Sequence, residues 1–259
     1  MGDYALFAPY TGHSYFIVNM RERAYTAVTT NDDIRVRITH SAINTRGEIA
    51  AFSSCIFAGD KLLVISPTFT QPQIIDDNFT GREGFRTDLF WSADGQLLAA
   101  INNRNEAVIY NARTLQVMHI IPLMTPVGIS FTPGNQYLLA LSANGTLYKY
   151  ALFYAMQAQQ LKVHDSVAAT TGRGMGMRMF EFLDIDGMDS LILTGAGFGN
   201  SYVIDIEEFA FRAAIPSLGA YNARHHIFVQ YESWGIQIRH LYSASELVEM
   251  ALNVVGNAQ

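Results

Sequence analysis

Cysteine is nearly absent from this chain of 259 residues, Cys55 being the only one. An intramolecular disulfide therefore cannot form, a cysteine-based zinc cluster is excluded, and a reducing compartment fits best. Charge is also scarce: Asp, Glu, Lys and Arg make up 15% of the residues and leave a net charge of −6. That sign removes the broad basic field that non-specific binding to phosphate backbones requires, so nucleic acid is not expected as a partner. No segment approaches the roughly 20 consecutive apolar residues of a membrane helix, so no membrane insertion is expected. The N-terminus carries Asp3, Thr11, Gly12 and His13 among its apolar residues and lacks the pattern of a secretory signal. The expected location is cytoplasmic or otherwise intracellular. In that setting the glycosylation triplets Asn78-Phe79-Thr80 and Asn144-Gly145-Thr146 would be idle.

What is abundant is apolar and aromatic. Apolar residues reach 49% and Phe, Trp and Tyr together 12%, which points to aromatic-rich strands and a mostly β chain. Self-similarity then decides the architecture. Phe90-Trp91-Ser92-Ala93-Asp94-Gly95 leads into Leu97-Leu98-Ala99-Ala100 and later Ala107-Val108-Ile109-Tyr110-Asn111. Ser130-Phe131-Thr132-Pro133-Gly134-Asn135 leads into Tyr137-Leu138-Leu139-Ala140-Leu141 and later Thr146-Leu147-Tyr148-Lys149-Tyr150. The two are offset by roughly 40 residues, a period typical of propeller blades. Asp94-Gly95 and Gly134-Asn135 tolerate the positive φ of a tight turn. The nearly continuous apolar runs that follow read as strands buried on both faces.

Over about 70 residues, from Phe85 to Tyr150, these units resemble WD-type repeats. In such repeats a Phe-Ser-Pro-Asp-Gly-like turn, a Leu-Ala pair and a Val-x-Ile-Trp-Asp-like strand follow one another; here Ile109-Tyr110-Asn111 takes the last place. The chain has no Trp-Asp dipeptide and a single Gly-His pair, Gly12-His13, so that family's buried hydrogen-bond network is not carried over. The resemblance implies an all-β fold: a single β-propeller over residues 1–259 with about six four-stranded blades, five or seven being alternatives.

Weaker copies fill the rest. Tyr4 to Tyr10, Tyr15 to Asn19 and Tyr25 to Thr29 supply a first unit. Ile34 to His40, Ile49 to Ser53 and Leu62 to Ser66, with Gly59-Asp60 as a turn, supply a second. Met179 to Leu183, Leu191 to Thr194 and Tyr202 to Ile206 supply another, and Ile227 to Tyr231 with Ile236 to His240 a last one. Ala151 to Leu161 and Ser243 to Val255 have helical alternatives, the second through a capping-box spacing from Ser243 to Glu246, but repeat phase favours outer strands for both. The short first unit also suggests that the strand near Tyr4 to Ala8 lies beside C-terminal segments including Ile227 to Tyr231 and closes the ring.

Chemistry is sparse. Asp184, Asp186 and Asp189 surround Gly187 in a spacing that can wrap calcium, and the stretch resembles the Asp-rich loop of calcium-binding propeller repeats. Only one copy exists, no EF-hand glutamate follows, and a plain turn uses the same residues, so no metal is assigned. The glycine-rich stretches 172–176 and 195–200 are not followed by a helix, as a dinucleotide fingerprint requires, and no cofactor is expected. The adjacent His225 and His226 would point to opposite faces of a strand and cannot easily share a metal. No nucleophile elbow or acid–base pair stands out, so no catalytic residue is assigned. Arg82, Arg86, Arg173, Met175 and Arg178 are candidate interface residues, because arginine with methionine or aromatics is a common interface composition.

The expected function is a non-catalytic interaction scaffold, a structural subunit of a larger homo- or hetero-oligomeric assembly that holds other protein chains. A phage-like virion or tail component is one version. The alternative is a propeller lyase or hydrolase, which needs carboxylates from several blades converging on the central channel.

Overall fold

Short apolar runs separated by Asn, Asp and Gly turns fold into antiparallel strands that pair with their neighbours in sequence. The structure is a computed structural model. It describes residues 4–7, 14–29, 37–44, 46–55, 59–66, 73–76, 79–80, 89–163, 180–185, 188–193, 200–216, 219–222, 227–232, 235–240 and 250. Among them are six separate sheets. The first holds β1 (Tyr4–Phe7), β2 (Ser14–Asn19) and β3 (Ala24–Thr29). The second holds β4 (Arg37–Ile43), β5 (Ile49–Cys55), β6 (Gly59–Ile65) and β7 (Gln73–Asp76). The third holds β8 (Leu89–Trp91), β9 (Leu97–Ile101), β10 (Glu106–Asn111) and β11 (Val117–Pro122). The fourth holds β12 (Pro126–Phe131), β13 (Tyr137–Ser142), β14 (Thr146–Ala151) and β15 (Met156–Lys162). The fifth holds β16 (Phe180–Ile185), β17 (Met188–Leu193), β18 (Asn200–Asp205) and β19 (Ala210–Pro216). The last holds β20 (Gly219–Asn222), β21 (Ile227–Glu232) and β22 (Gly235–His240). Two compact units are present: residues 1–142, 148–158 and 170–173 in one, and 143–147, 159–169 and 174–259 in the other.

The first unit explains why the middle strands read as continuous apolar runs. In β9, Leu98 and Ala100 pack with Leu62 and Val64 of β6, while Ala99 and Ile101 pack with Ile129, Leu138 and Tyr148 of the fourth sheet. β10 alternates in the same way, Val108 and Tyr110 to one side, Ala107 and Ile109 to the other. A sheet buried on both faces has no polar face, so alternation disappears from its sequence. The first strands β1, β4, β8 and β12 are successive neighbours. Trp91 of β8 donates its indole N–H to the Ala42 carbonyl of β4 at 3.0 Å, and Arg46 donates to the Gly95 carbonyl at 2.6 Å.

The repeat recurs in the backbone of its turns. Ser92 and Thr132 each accept at their carbonyls from the residue three positions on and donate their N–H to the carbonyl five positions on. Positive φ falls on Gly95 and Asn135, on Asn105 and Gly145, and on Leu115 and Ala155, each pair 40 residues apart. The segments around Trp91 and Phe131 thus hold equivalent places in neighbouring sheets, as their turn chemistry indicates. Ala151 to Leu161 is a turn followed by a strand rather than a helix.

Other expectations are corrected. Gly59-Asp60 is not a turn: both residues begin β6, opposite Cys55 and Ser54. The strand expected at Ile34 to His40 is described from Arg37 and continues past His40, its pairing with β5 reaching Ile43 opposite Ile49. β1 pairs with β2, and both edges of β21 are taken by β20 and β22. The strands β7, β19 and β20 have no counterpart among the sequence expectations. Of 243–255 only Met250 is described, and it is helical, as in the capping-box alternative.

One turn recurs outside the blade phase. Asn44 and Asn102 each bond a glutamate four residues on, Glu48 and Glu106, through Nδ2 at 2.7 Å. Each also accepts two backbone N–H groups at Oδ1, and each glutamate pairs with an intervening arginine, Arg46 or Arg104. The outer hairpins share another device. Asn19, Asn111 and Asp205 each accept turn N–H groups at Oδ1, and the residue four positions on, Arg23, Leu115 or Phe209, has positive φ.

Leu98 and Leu139 are fully buried at 0% exposure. Replacing either with Ala is expected to lower stability by about 2–5 kcal/mol in chemical denaturation. Asp205 gives a second test. The hydrogen bond from Arg212 at 2.7 Å, helped by the Glu208 N–H, holds its carboxyl below the usual value. A depressed folded-state pKa stabilises above the unfolded value of about 3.9, and that contribution is lost as pH falls through the folded one. Asp205→Asn should therefore flatten the acid limb of stability against pH, read from urea midpoints below about pH 4.

Candidate functional site

Turn tips of outer hairpins face water, so polar residues belong there. The two positions before the positive-φ residue are Arg21-Glu22, Arg113-Thr114 and Glu207-Glu208 in three of these hairpins, but Phe153-Tyr154 in the fourth. The local geometry forces this pair outward. Leu152 is buried and its N–H bonds the Gln136 carbonyl at 3.0 Å, while Ala155 closes the turn onto the Leu152 carbonyl at a φ of 50°. Phe153 and Tyr154 are left 84% and 70% exposed, edge to face with ring centroids 4.9 Å apart.

Behind them lies a groove of about 680 Å³, between the outer part of the third sheet and the fourth, wholly within the first unit. Leu97, Ile109, Met118 and His119 of the third sheet line it together with Tyr137, Leu152 and Tyr154 of the fourth. Tyr137 is steadied by the buried Lys149, whose ammonium sits 4.4 Å from the ring centroid. Asn135 also lines the groove, and its side chain hydrogen-bonds the Asp94 carboxylate of the neighbouring turn. Burial pushes Asp94 up, but bonds from the Ser92 hydroxyl, the Gln96 N–H and Asn135 outweigh it and hold the carboxyl low. The Asn135 Oδ1 is buried without a hydrogen-bond partner among the described residues. No charged residue lines the groove. Its surroundings are apolar as well, with Val117, Met118, Ile120 and Met156 all about half exposed. The arrangement offers apolar contact and shape. It presents no nucleophile–base pair.

Most of the residues singled out from sequence are not described. Arg82, Arg86, Arg173, Met175 and Arg178 fall outside the described residues, as do Asp186 and the pair His225-His226. Asp184 and Asp189 stand opposite each other as the last pair but one of the β16–β17 pairing. No group of three potential metal ligands occurs among the described residues. The groove itself escaped sequence reasoning because its residues come from turns and strands up to 57 positions apart in sequence, Leu97 to Tyr154. The available signal was the Phe-Tyr pair, visible once the outer hairpins are aligned on their positive-φ residues.

No protein-family model matches the sequence, and no curated protein matches it. Solved structures do. The β-propeller domain of Cps50 (Swd1) from Myceliophteria thermophila superimposes with a TM-score of 0.58 at 11% identity, covering 93% of this chain and 80% of that one. A chain of the mitotic checkpoint complex superimposes with a TM-score of 0.60 at 8% identity, covering 88% of this chain and 74% of that one. At such identities the likeness is one of fold, and no helix among the described residues is long and apolar enough to cross a membrane. The chain has an all-β, β-propeller fold, the fold that its WD-like repeats imply.

Proposed function

We propose that the protein is a non-catalytic interaction module: one propeller domain that holds another protein chain at the groove beside Phe153 and Tyr154. The observation that carries this reading is the aromatic pair itself, set where the sister hairpins have Arg, Glu and Thr. Exposed aromatics and methionines around an apolar depression are the composition of protein interfaces. Such a cluster costs solubility unless something covers it. The fold neighbours agree in kind, one being a chain of a complex named for its assembly. A subunit of a larger assembly, a virion among them, is a finer version of the same reading, and the lone Cys55 suits a reducing, intracellular setting for it.

The enzyme alternative would need carboxylates converging from several first strands. Among the described first strands, β1, β4, β8, β12 and β20 contain no Asp or Glu and β16 contains Glu181 and Asp184, so carboxylates come from one sheet, not several.

The double substitution Phe153→Ser with Tyr154→Ser should leave stability within about 0.5 kcal/mol, since both side chains face solvent. Purified from the native source, the wild-type chain should bring a stoichiometric partner that the variant loses at an unchanged melting temperature. A partner retained by the variant would place the interface elsewhere.

A further inference from the structure

β11 is the outermost strand of its sheet, and among the described residues no strand pairs with its outer edge. An edge of this kind presents a row of backbone donors and acceptors, which proteins usually guard with charge, proline or a short strand. β19 carries Arg212 and ends in Pro216. β11 has no charged residue at all, its one proline is the terminal Pro122, and Val117, Met118 and Ile120 stand about half exposed along it. The same strand lines the groove through Met118 and His119.

Resting on the binding reading above, we propose that the groove takes an extended, uncharged strand of a partner chain, which pairs with the outer edge of β11 and sets alternate apolar side chains between Met118 and Tyr154. Three features select this occupant. A helix would fill an apolar groove but leave the β11 edge unpaired, whereas an added strand engages both through its period of two. The groove lining and β11 contain no charge, so a charged segment would lose hydration there with nothing to offset it. A volume of about 680 Å³ exceeds one side chain and suits a row of them.

The test is a nitrogen–proton NMR titration of the full chain with a blocked synthetic peptide alternating Val or Ile with Ser or Thr. Two companion peptides carry N-methyl groups on alternate amides, one along each edge. Backbone amides of β11 should shift together with Tyr154 at millimolar peptide, and one of the methylated peptides should bind about tenfold more weakly because it cannot donate to β11. Met118→Asp should abolish the shifts. Unmoved β11 amides overturn the proposal, as does equal binding of all three peptides, the behaviour of a ligand held by the groove alone. So does the absence of any shift. The interaction module stands or falls separately, on whether the Phe153→Ser, Tyr154→Ser chain keeps its native partner.

Discussion

Burial of a sheet on both faces is the constraint from which the rest follows. A four-stranded sheet with apolar residues on both sides cannot persist alone in water, and β9 and β10 divide their side chains strictly between the two neighbouring sheets. The third sheet is therefore at once a core for the second and for the fourth. Their outer strands escape this demand. β15 is exposed along almost its whole length and β11 along most of it, so their composition is free to answer to something other than folding.

Turn geometry is the second constraint, and it is stricter than composition. The 40-residue period survives in the placement of positive φ even where the residues differ, as with Gly95 and Asn135 or Leu115 and Ala155. Left-handed backbone is costly for Leu and Ala. Its retention at both sites says that the hairpin path is imposed by the packed strands on either side.

These constraints explain what could be read in advance. The third and fourth sheets were legible because both signals coincide there: turn residues of the right kind and middle strands free of polar interruptions. Elsewhere one signal is missing. Gly59-Asp60 carries turn chemistry yet lies in a strand, because ladder pairing with Cys55 and Ser54 overrides local propensity. The short edge strand β7 exposes too much surface to need an apolar pattern, with Gln73 and Ile74 both exposed. The groove was not legible for a different reason: it joins residues of five strands, a turn and a hairpin tip whose proximity only the packed sheets create.

The Asn-x-Arg-x-Glu turn has a wider bearing. At Asn44 it joins the first and second strands of a sheet, and at Asn102 the second and third, so identical side-chain bonding occurs at two different steps of the meander. At Asn44 this clasp also touches its neighbours: Arg46 bonds the Gly95 carbonyl, and a Cβ at Gly47, where the other turn has Asn105, would meet the Tyr4 ring at 2.8 Å. The clasp gives two segments 58 residues apart a likeness unrelated to blade register, since Asn44 and Asn102 answer to the same local chemistry in unlike surroundings. Aligning repeats on their best-preserved turns would then slip the comparison by one strand, a way for a propeller to keep its architecture while its ancestry fades from the sequence.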